Sequence, residues 1–320
     1  MGIEFRDPVG SVANFMHHAS LFTPTSLGSI TLANRIVMAP MTRNFSPNDN
    51  IPGDNVVDYY RRRAEGGVGL IITEGTCVDH IAASGYPGVP YFHGEARLAG
   101  WKKVVDAVHA AGGKIAPHLW HCGGARKAGT MPEGDVPGYT PSGMNVPGKV
   151  NRHIMSQQDI DDVVQAFARG AADAQRLGFD AIELHGAHGY LIDQFFWEGT
   201  NQREDGYGGS MENRLRFALE IITAARAAVG PDFPIILRWS QWKQQDFTAR
   251  LAPSLEELEQ FVKPLSDAGV DIFVIRGTTV SAEHVAAETE VLNLKKFIYE
   301  LDVPVIVGGV ATATGALHLM

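Results

Sequence analysis

Seven short apolar runs, separated by longer stretches of helical periodicity, restrict the fold of this chain more than any other feature. They are Ile36–Pro40, Gly69–Glu74, Lys114–Trp120, Ala181–Leu184, Ile235–Trp239, Ile272–Ile275 and Val305–Val307. Brief runs rich in Val and Ile read as strands buried on both faces, and their alternation with helices is the pattern of repeated βα units around a parallel sheet. The helices between them carry their own start and stop signals. One opens at Ser156, where Asp159 takes the place of the usual Glu or Gln of a capping box, and presents Ile160, Val163, Val164, Phe167, Ala171 and Ala174 as its apolar stripe. A second opens at Ser254 with Glu257 in the box, and Leu255, Leu258, Phe261, Val262 and Leu265 follow. Gly178 and Gly269 end these two helices, and each precedes an Asp and then a strand, as Gly178-Phe179-Asp180 and Gly269-Val270-Asp271.

Repeated βα units can build an open doubly wound sheet or a closed barrel. No G-x-G-x-x-G follows the first strand, which weakens a dinucleotide-binding sheet. Residues suited to chemistry instead stand just after strand upon strand, at Thr42, Gly75, His118, His185 and Arg238, as they do on the active face of a barrel. The sequence therefore predicts an α/β fold, a (β/α)8 TIM barrel, truncated because Met320 comes just after the seventh strand. Residues 1–20 are expected to be an N-terminal arm, and 21–320 one domain, a length that barrels of this type reach as a single unit.

Composition narrows the function. A formal net charge of -9 without a basic cluster gives no footprint for nucleic acid or an anionic membrane, and points to a small-molecule substrate. The two cysteines, Cys77 and Cys122, have no ligand spacing and suit a reducing compartment as buried small hydrophobes. The first twenty residues contain no continuous apolar run, so neither a signal peptide nor a membrane span is expected and a cytoplasmic location follows. A homo-oligomer is compatible with this composition.

The densest chemistry follows the fourth strand, as His185-Gly-Ala-His188-Gly-Tyr190. If the segment turns helically, the two histidines share a face. Two imidazoles can donate N–H bonds to one substrate oxygen, and a phenol that stays protonated near neutral pH can deliver a proton. The trio suits addition of hydride and proton across a polarised double bond, although each residue could equally be a satisfied buried polar group. A metal site is the competing reading, since His118, His121, His185 and His188 all lie near strand ends; neither H-x-H after the first strand nor H-E-x-x-H is present to support it. Arg238, a charge inside the run Ile235–Trp239, calls for a carboxylate partner or a ligand with a negative edge.

Along nearly its whole length the chain resembles the old yellow enzymes, or NAD(P)H:flavin oxidoreductases, which are FMN-dependent TIM barrels. The resemblance is carried by Leu21-Phe22 with Pro24, Asn34 through Arg43, Tyr59 through Ala64, Ile72-Thr73-Glu74-Gly75-Thr76, Leu119-Trp120-His121, and the long run from Glu183 through Asn213. It implies that Pro40, Met41 and Thr42 lie along the flavin ring, that Gly75 lets the ring approach the second strand, and that Arg238 faces the ring's N1–C2 edge. It also implies that His185 and His188 anchor the activating oxygen of the substrate while Tyr190 protonates its alpha carbon. The implied activity is hydride transfer from NADH or NADPH through FMN to an activated alkene such as an enone or nitroalkene. Two departures stand out. His118 occupies the place where the family usually has Gln, and an imidazole cannot supply both amide functions at once. Gly308 and Gly309 match the family's first phosphate-binding turn, whereas its second, a Gly-Arg pair, would fall beyond Met320. The alternatives to the enzyme are a non-catalytic remnant of the barrel with weak FMN binding, and a metal-dependent hydrolase.

Overall fold

Strand residues alternate between the two faces of a sheet and helix residues return every third or fourth position, so each βα unit buries one strand and one helical stripe together. The computed structural model describes residues 20–47, 49–127, 129–130, 134–276 and 305–308. It opens with an antiparallel hairpin of β1 (Thr25–Leu27) and β2 (Ile30–Leu32). The seven apolar runs then form one parallel sheet: β3 (Val37–Met38), β4 (Leu70–Cys77), β5 (Ile115–Trp120), β8 (Ile182–Gly186), β9 (Ile235–Ser240), β10 (Ile272–Arg276) and β11 (Val305–Gly308), adjacent in chain order. A small ribbon of β6 (Tyr139–Thr140) and β7 (His153–Ile154) interrupts the connection after β5. This order is the curved sheet of a (β/α) barrel, of which the described residues supply seven strands. β3 is shorter than its run and β4 extends three residues past its own, with a register shift between Ile72 and Gly75.

The helices are α1 (Asp54–Glu65), α2 (Glu95–Ala110), α3 (Gln157–Leu177), the short α4 (Leu191–Phe196), α5 (Met211–Val229) and α6 (Leu255–Asp267). Both expected capping boxes are present, with the Ser156 and Ser254 hydroxyls accepting the N–H groups of Asp159 and Glu257. Gly178 ends α3 in the left-handed region at φ +88°, where a Cβ would be strained. The repeated Gly-Xaa-Asp joint has a structural purpose. Asp180 Oδ2 accepts the Ile115 N–H at 2.9 Å while its own N–H donates to the Ile115 carbonyl. Asp271 does the same to Ile235, at 2.7 Å. Each aspartate thus pins the start of the neighbouring strand, and the repeat fixes the register of the sheet.

Alternation also decides what fills the barrel. Leu70, Ile72, Ala116, Ala181, Ile236, Ile272 and Val274 form one buried apolar cluster with Ile30 and Leu32, so the hairpin plugs the end where the strands begin. Two residues further along the same faces the interior turns polar: Ala116 gives way to His118, Ala181 to Glu183 and then His185, and Ile236 to Arg238 and then Ser240. The larger core lies outside the sheet, where the stripe of α3 packs against α5 and α5 packs against α6. Cys77 and Cys122 belong to this core as buried free thiols, as expected, and burial pushes Cys77 up to about 12. Among the described residues no helix is long and apolar enough to cross a membrane. Of the arm expected over residues 1–20, residues 1–19 lie outside the described residues.

Candidate active site

The polar floor of the barrel is built on Glu183, a carboxylate with no exposed surface. Strand register sets Glu183 beside His118 and His185 beside Arg238. Arg238 donates from Nε to Oε1 at 2.9 Å and from Nη2 to Oε2 at 3.1 Å, a bidentate pair that leaves Nη1 uninvolved. His118 Nδ1 lies 2.5 Å from the same Oε1. Burial opposes the carboxylate's charge, but Arg238 and His118 outweigh it and hold Glu183 down to about 2. Burial, reinforced by Arg238, lowers His118 against the raising effect of Glu183. Arg238 therefore has a carboxylate partner, and of the two sources that its position allowed, the salt bridge is present.

His185 stands at the end of β8, its ring 4.4 Å from that of His118 and 5.1 Å from that of Tyr190. The His188 ring lies 5.3 Å from His185. The residues between them are not helical: β8 runs on to Gly186, and the chain then turns from Ala187 to Tyr190, with His188 at φ +63° and Gly189 at φ +77°. Left-handed geometry at two consecutive residues folds the chain back towards Tyr190, and the two histidines come close without helical periodicity. Buried groups hold this turn. The His188 N–H donates to Ser240 Oγ at 3.0 Å, and the Gly189 N–H to Asp193 Oδ2 at 2.7 Å. Lys243, wholly buried like Asp193, donates to Asp193 Oδ1 at 2.7 Å and to the Ser240 carbonyl at 3.0 Å. Burial pushes Asp193 up and Lys243 down, each opposed by the charge of the other. Trp242 stacks on His188 at 5.2 Å, and a Cβ on Gly189 would collide with the Gln245 side chain.

Tyr190 caps the short α4, with its ring edge-on to Trp120 at 4.9 Å and its hydroxyl 3.1 Å from that of Tyr86. Burial first, then Tyr86, raises its ionisation well above the usual phenol range, which keeps the proton in place at neutral pH. Tyr86 also packs on Trp120, stacked at 5.4 Å. Gly75 admits that indole: a Cβ there would lie 2.6 Å from Trp120 Cε3.

Pro40, Met41 and Thr42 follow the edge strand β3, with Met41 and Thr42 exposed. The loop is tied to β4 by the Arg43 N–H, which donates to Glu74 Oε2 at 2.8 Å. Burial pushes Glu74 up to about 7. Gly308 ends β11 beside Arg276 of β10, and Gly309 lies outside the described residues. The structure thus gathers His118, His185, His188, Tyr190 and Arg238 at one end of the sheet, with Gly75 next to them beneath Trp120. His121 turns instead to His80, Nε2 to Nδ1 at 2.9 Å. Among the described residues no group of three or more His, Cys, Asp or Glu is arranged to hold a metal ion.

Tyr86 and the segment Trp242 to Gln245 do not stand out in the sequence, while Glu183 and Trp120 were named only within the stretches that carry the resemblance, without a role. Glu183 had a readable signal, an ionisable residue in a buried strand two positions before His185. The others become visible only when separate loops meet over the strand ends.

A family model described as "NADH:flavin oxidoreductase / NADH oxidase family" matches residues 20–315. The chain belongs to this family. An "NADH oxidase" of Thermoanaerobacter brockii is 38% identical over 257 residues, which cover 80% of this chain and 39% of that protein. A "Probable inactive reductase easA" of Epichloe festucae var. lolii is 36% identical over 257 residues, 80% of this chain and 67% of that one. The chain thus spans about two fifths to two thirds of the length of these relatives. Among solved structures, morphinone reductase in complex with tetrahydroNAD superposes with a TM-score of 0.80 at 31% identity, covering 93% of this chain and 82% of that one. The barrel assignment rests on this likeness as well as on the strand order.

Proposed function

We propose that this chain is an FMN-dependent ene-reductase of the old yellow enzyme type, with Tyr190 as proton donor and His185 and His188 as the anchors of the substrate's activating oxygen. The observation that carries the reading is the convergence of these three rings over the Arg238–Glu183 pair, at the end of the sheet where strands deliver catalytic groups. The residues fit a flavin. Exposed Met41 and Thr42 and the neighbouring Pro40 offer one flank for a flat ring, while Arg238 retains a donor nitrogen and His118 a ring nitrogen for its polar edge. Bound there, FMN would take hydride from NADH or NADPH and pass it to the beta carbon of an alkene conjugated to a carbonyl or nitro group. Gly308 and Gly309 would receive the phosphate. The chain's own residues supply the rest. Hydrogen bonds from His185 and His188 polarise the substrate oxygen, and a phenol held protonated by burial releases its proton only to a strongly basic carbon.

Flavin content tests the cofactor: purified chain should be yellow, or become so when titrated with FMN. Protein that stays colourless with FMN would place it beside the relative named as a probable inactive reductase. Stopped-flow traces of Tyr190→Phe test the donor, with alkene reduction slowed by about 10²-fold or more and flavin reduction by NAD(P)H unchanged. Equal loss in both half-reactions would remove Tyr190 from that role.

A further inference from the structure

Tyr190 does not stand alone. The Tyr86 hydroxyl lies 3.1 Å from its own, and either oxygen can donate while both keep their protons. Tyr86 reaches this point from the loop after β4, which is held apart from the histidine turn. A Cβ on Gly85 would lie 2.8 Å from Cys122 Sγ and 3.2 Å from the Arg126 backbone, and the Arg126 guanidinium donates to the Ser84 carbonyl. Two residues past Tyr86, the Gly88 carbonyl accepts the Ser46 N–H at 3.0 Å. Trp120 contacts both phenol rings, stacked on Tyr86 and edge-on to Tyr190.

Proton donation decides the direction of this hydrogen bond. When the Tyr190 O–H bond breaks and a C–H bond forms at the alpha carbon, the oxygen left behind is a phenolate, which can only accept. Its neighbour is a second phenol, ordinarily protonated near neutral pH, so the Tyr86 O–H must point at that oxygen. A hydrogen bond to an ion is roughly twice as strong as one between neutral groups, so this bond gains strength as the proton leaves. The pair does not readily ionise twice. A charge on either oxygen holds the proton on the other, which is how Tyr86 raises Tyr190 in alkaline solution.

We propose that Tyr86 is a positioning residue for proton donation, whose O–H turns the Tyr190 proton towards the substrate and stabilises the phenolate as it forms. A proton from water then restores Tyr190, whose contact with Tyr86 is only part-buried. The proposal rests on the ene-reductase reading, in which Tyr190 is the donor.

A double-mutant cycle tests it, on FMN-loaded chain reduced with NADH and mixed with cyclohexenone in a stopped-flow instrument. Tyr86→Phe keeps the ring on Trp120 and removes only the hydroxyl. It should slow oxidation by the enone about tenfold or more, the worth of a charge-assisted hydrogen bond, and leave reduction by NADH within about twofold of wild type. Tyr190→Phe should slow the enone step further. Adding Tyr86→Phe to it should change nothing more, because Tyr86 acts only through Tyr190. An enone step untouched by Tyr86→Phe, an equal loss in both half-reactions, or the same loss with and without the Tyr190 hydroxyl would each overturn the proposal and leave the role of Tyr190 intact. Should Tyr190→Phe reduce the enone at the wild-type rate, the donor reading falls and this proposal with it. Chain that takes up no FMN would sink the cofactor reading and the proposal together.

Discussion

Replacing Lys243 with Met tests what holds the His188–Tyr190 turn. The substitution keeps most of the side-chain volume and removes the charge opposite Asp193, which has no exposed surface and keeps only the Gly189 N–H as a donor. A buried ion pair broken on one side costs about 3–5 kcal/mol, because the remaining charge is left uncompensated. Asp193 can escape by taking a proton, which sets a ceiling. Holding a carboxyl of ordinary value 3.8 neutral at pH 7 costs about 1.4 kcal/mol per pH unit, or about 4 kcal/mol in all. The sign follows from linkage. In the variant the folded-state value of Asp193 rises far above its unfolded value, so the stability of Lys243→Met relative to wild type is highest below pH 4 and falls as pH rises towards 7. Urea denaturation at a series of pH values measures this difference. Because burial already raises Asp193 in wild type, the deficit should stay below about 4 kcal/mol at pH 7, shrink by up to about 1.4 kcal/mol for each unit towards pH 4, and largely disappear when Asp193→Asn is added. A loss that does not change with pH, or one below about 0.5 kcal/mol at pH 7, would refute the argument that an uncompensated buried charge is what the lysine prevents.

Three further substitutions probe neighbouring features. Glu74, raised from 4.5 to about 7, binds a proton in the folded state that the unfolded chain lacks between those values, so its contribution of about 3 kcal/mol is present below pH 4.5 and lost as pH rises through 7. Glu74→Gln should therefore gain in melting temperature relative to wild type across that window, and parallel curves would refute it. Gly75→Ala puts a Cβ 2.6 Å from Trp120, and should cost about 1–3 kcal/mol with a shift in tryptophan emission as the indole is displaced; an unchanged spectrum and melting point would count against the close packing. Ser156→Ala removes the hydroxyl that caps α3 and should cost about 1 kcal/mol in thermal unfolding, a prediction that fails if stability is untouched.

The strands, the two capping boxes and the Gly-Xaa-Asp joints were legible because each is decided by residues close in sequence. Glu183, two positions before His185, was not read as a site residue. The partners of those residues could not be read in the same way. Glu183 and Arg238 are 55 positions apart, and their meeting depends on which strands lie side by side and in what register. The geometry of the histidine turn was hidden for another reason. Nothing in His-Gly-Ala-His-Gly-Tyr announces that a histidine takes a left-handed conformation, which is unfavourable alone and persists because Ser240, Asp193, Lys243 and Trp242 surround it. Three of these four come from the end of β9 and the loop after it, where no periodicity exists to be read.

The two buried ion pairs make sense together once their positions are compared. Arg238–Glu183 lies on neighbouring strands beneath the rings, and Lys243–Asp193 joins the loop after β9 to the helix that follows the histidine turn. Burying four charges brings little or no net stability, since desolvation consumes most of what attraction returns. What such pairs add is direction, because each charge accepts or donates along fixed vectors: Glu183 accepts from both Nε and Nη2 of Arg238, Asp193 accepts the Gly189 N–H, and Lys243 donates to the Ser240 carbonyl. One pair fixes Arg238 in the floor and the other anchors the turn that carries His188 and Tyr190. In the reading proposed above, a flat ring below and a substrate above would need both surfaces fixed independently, and apolar packing, which has no preferred direction, could not do that alone.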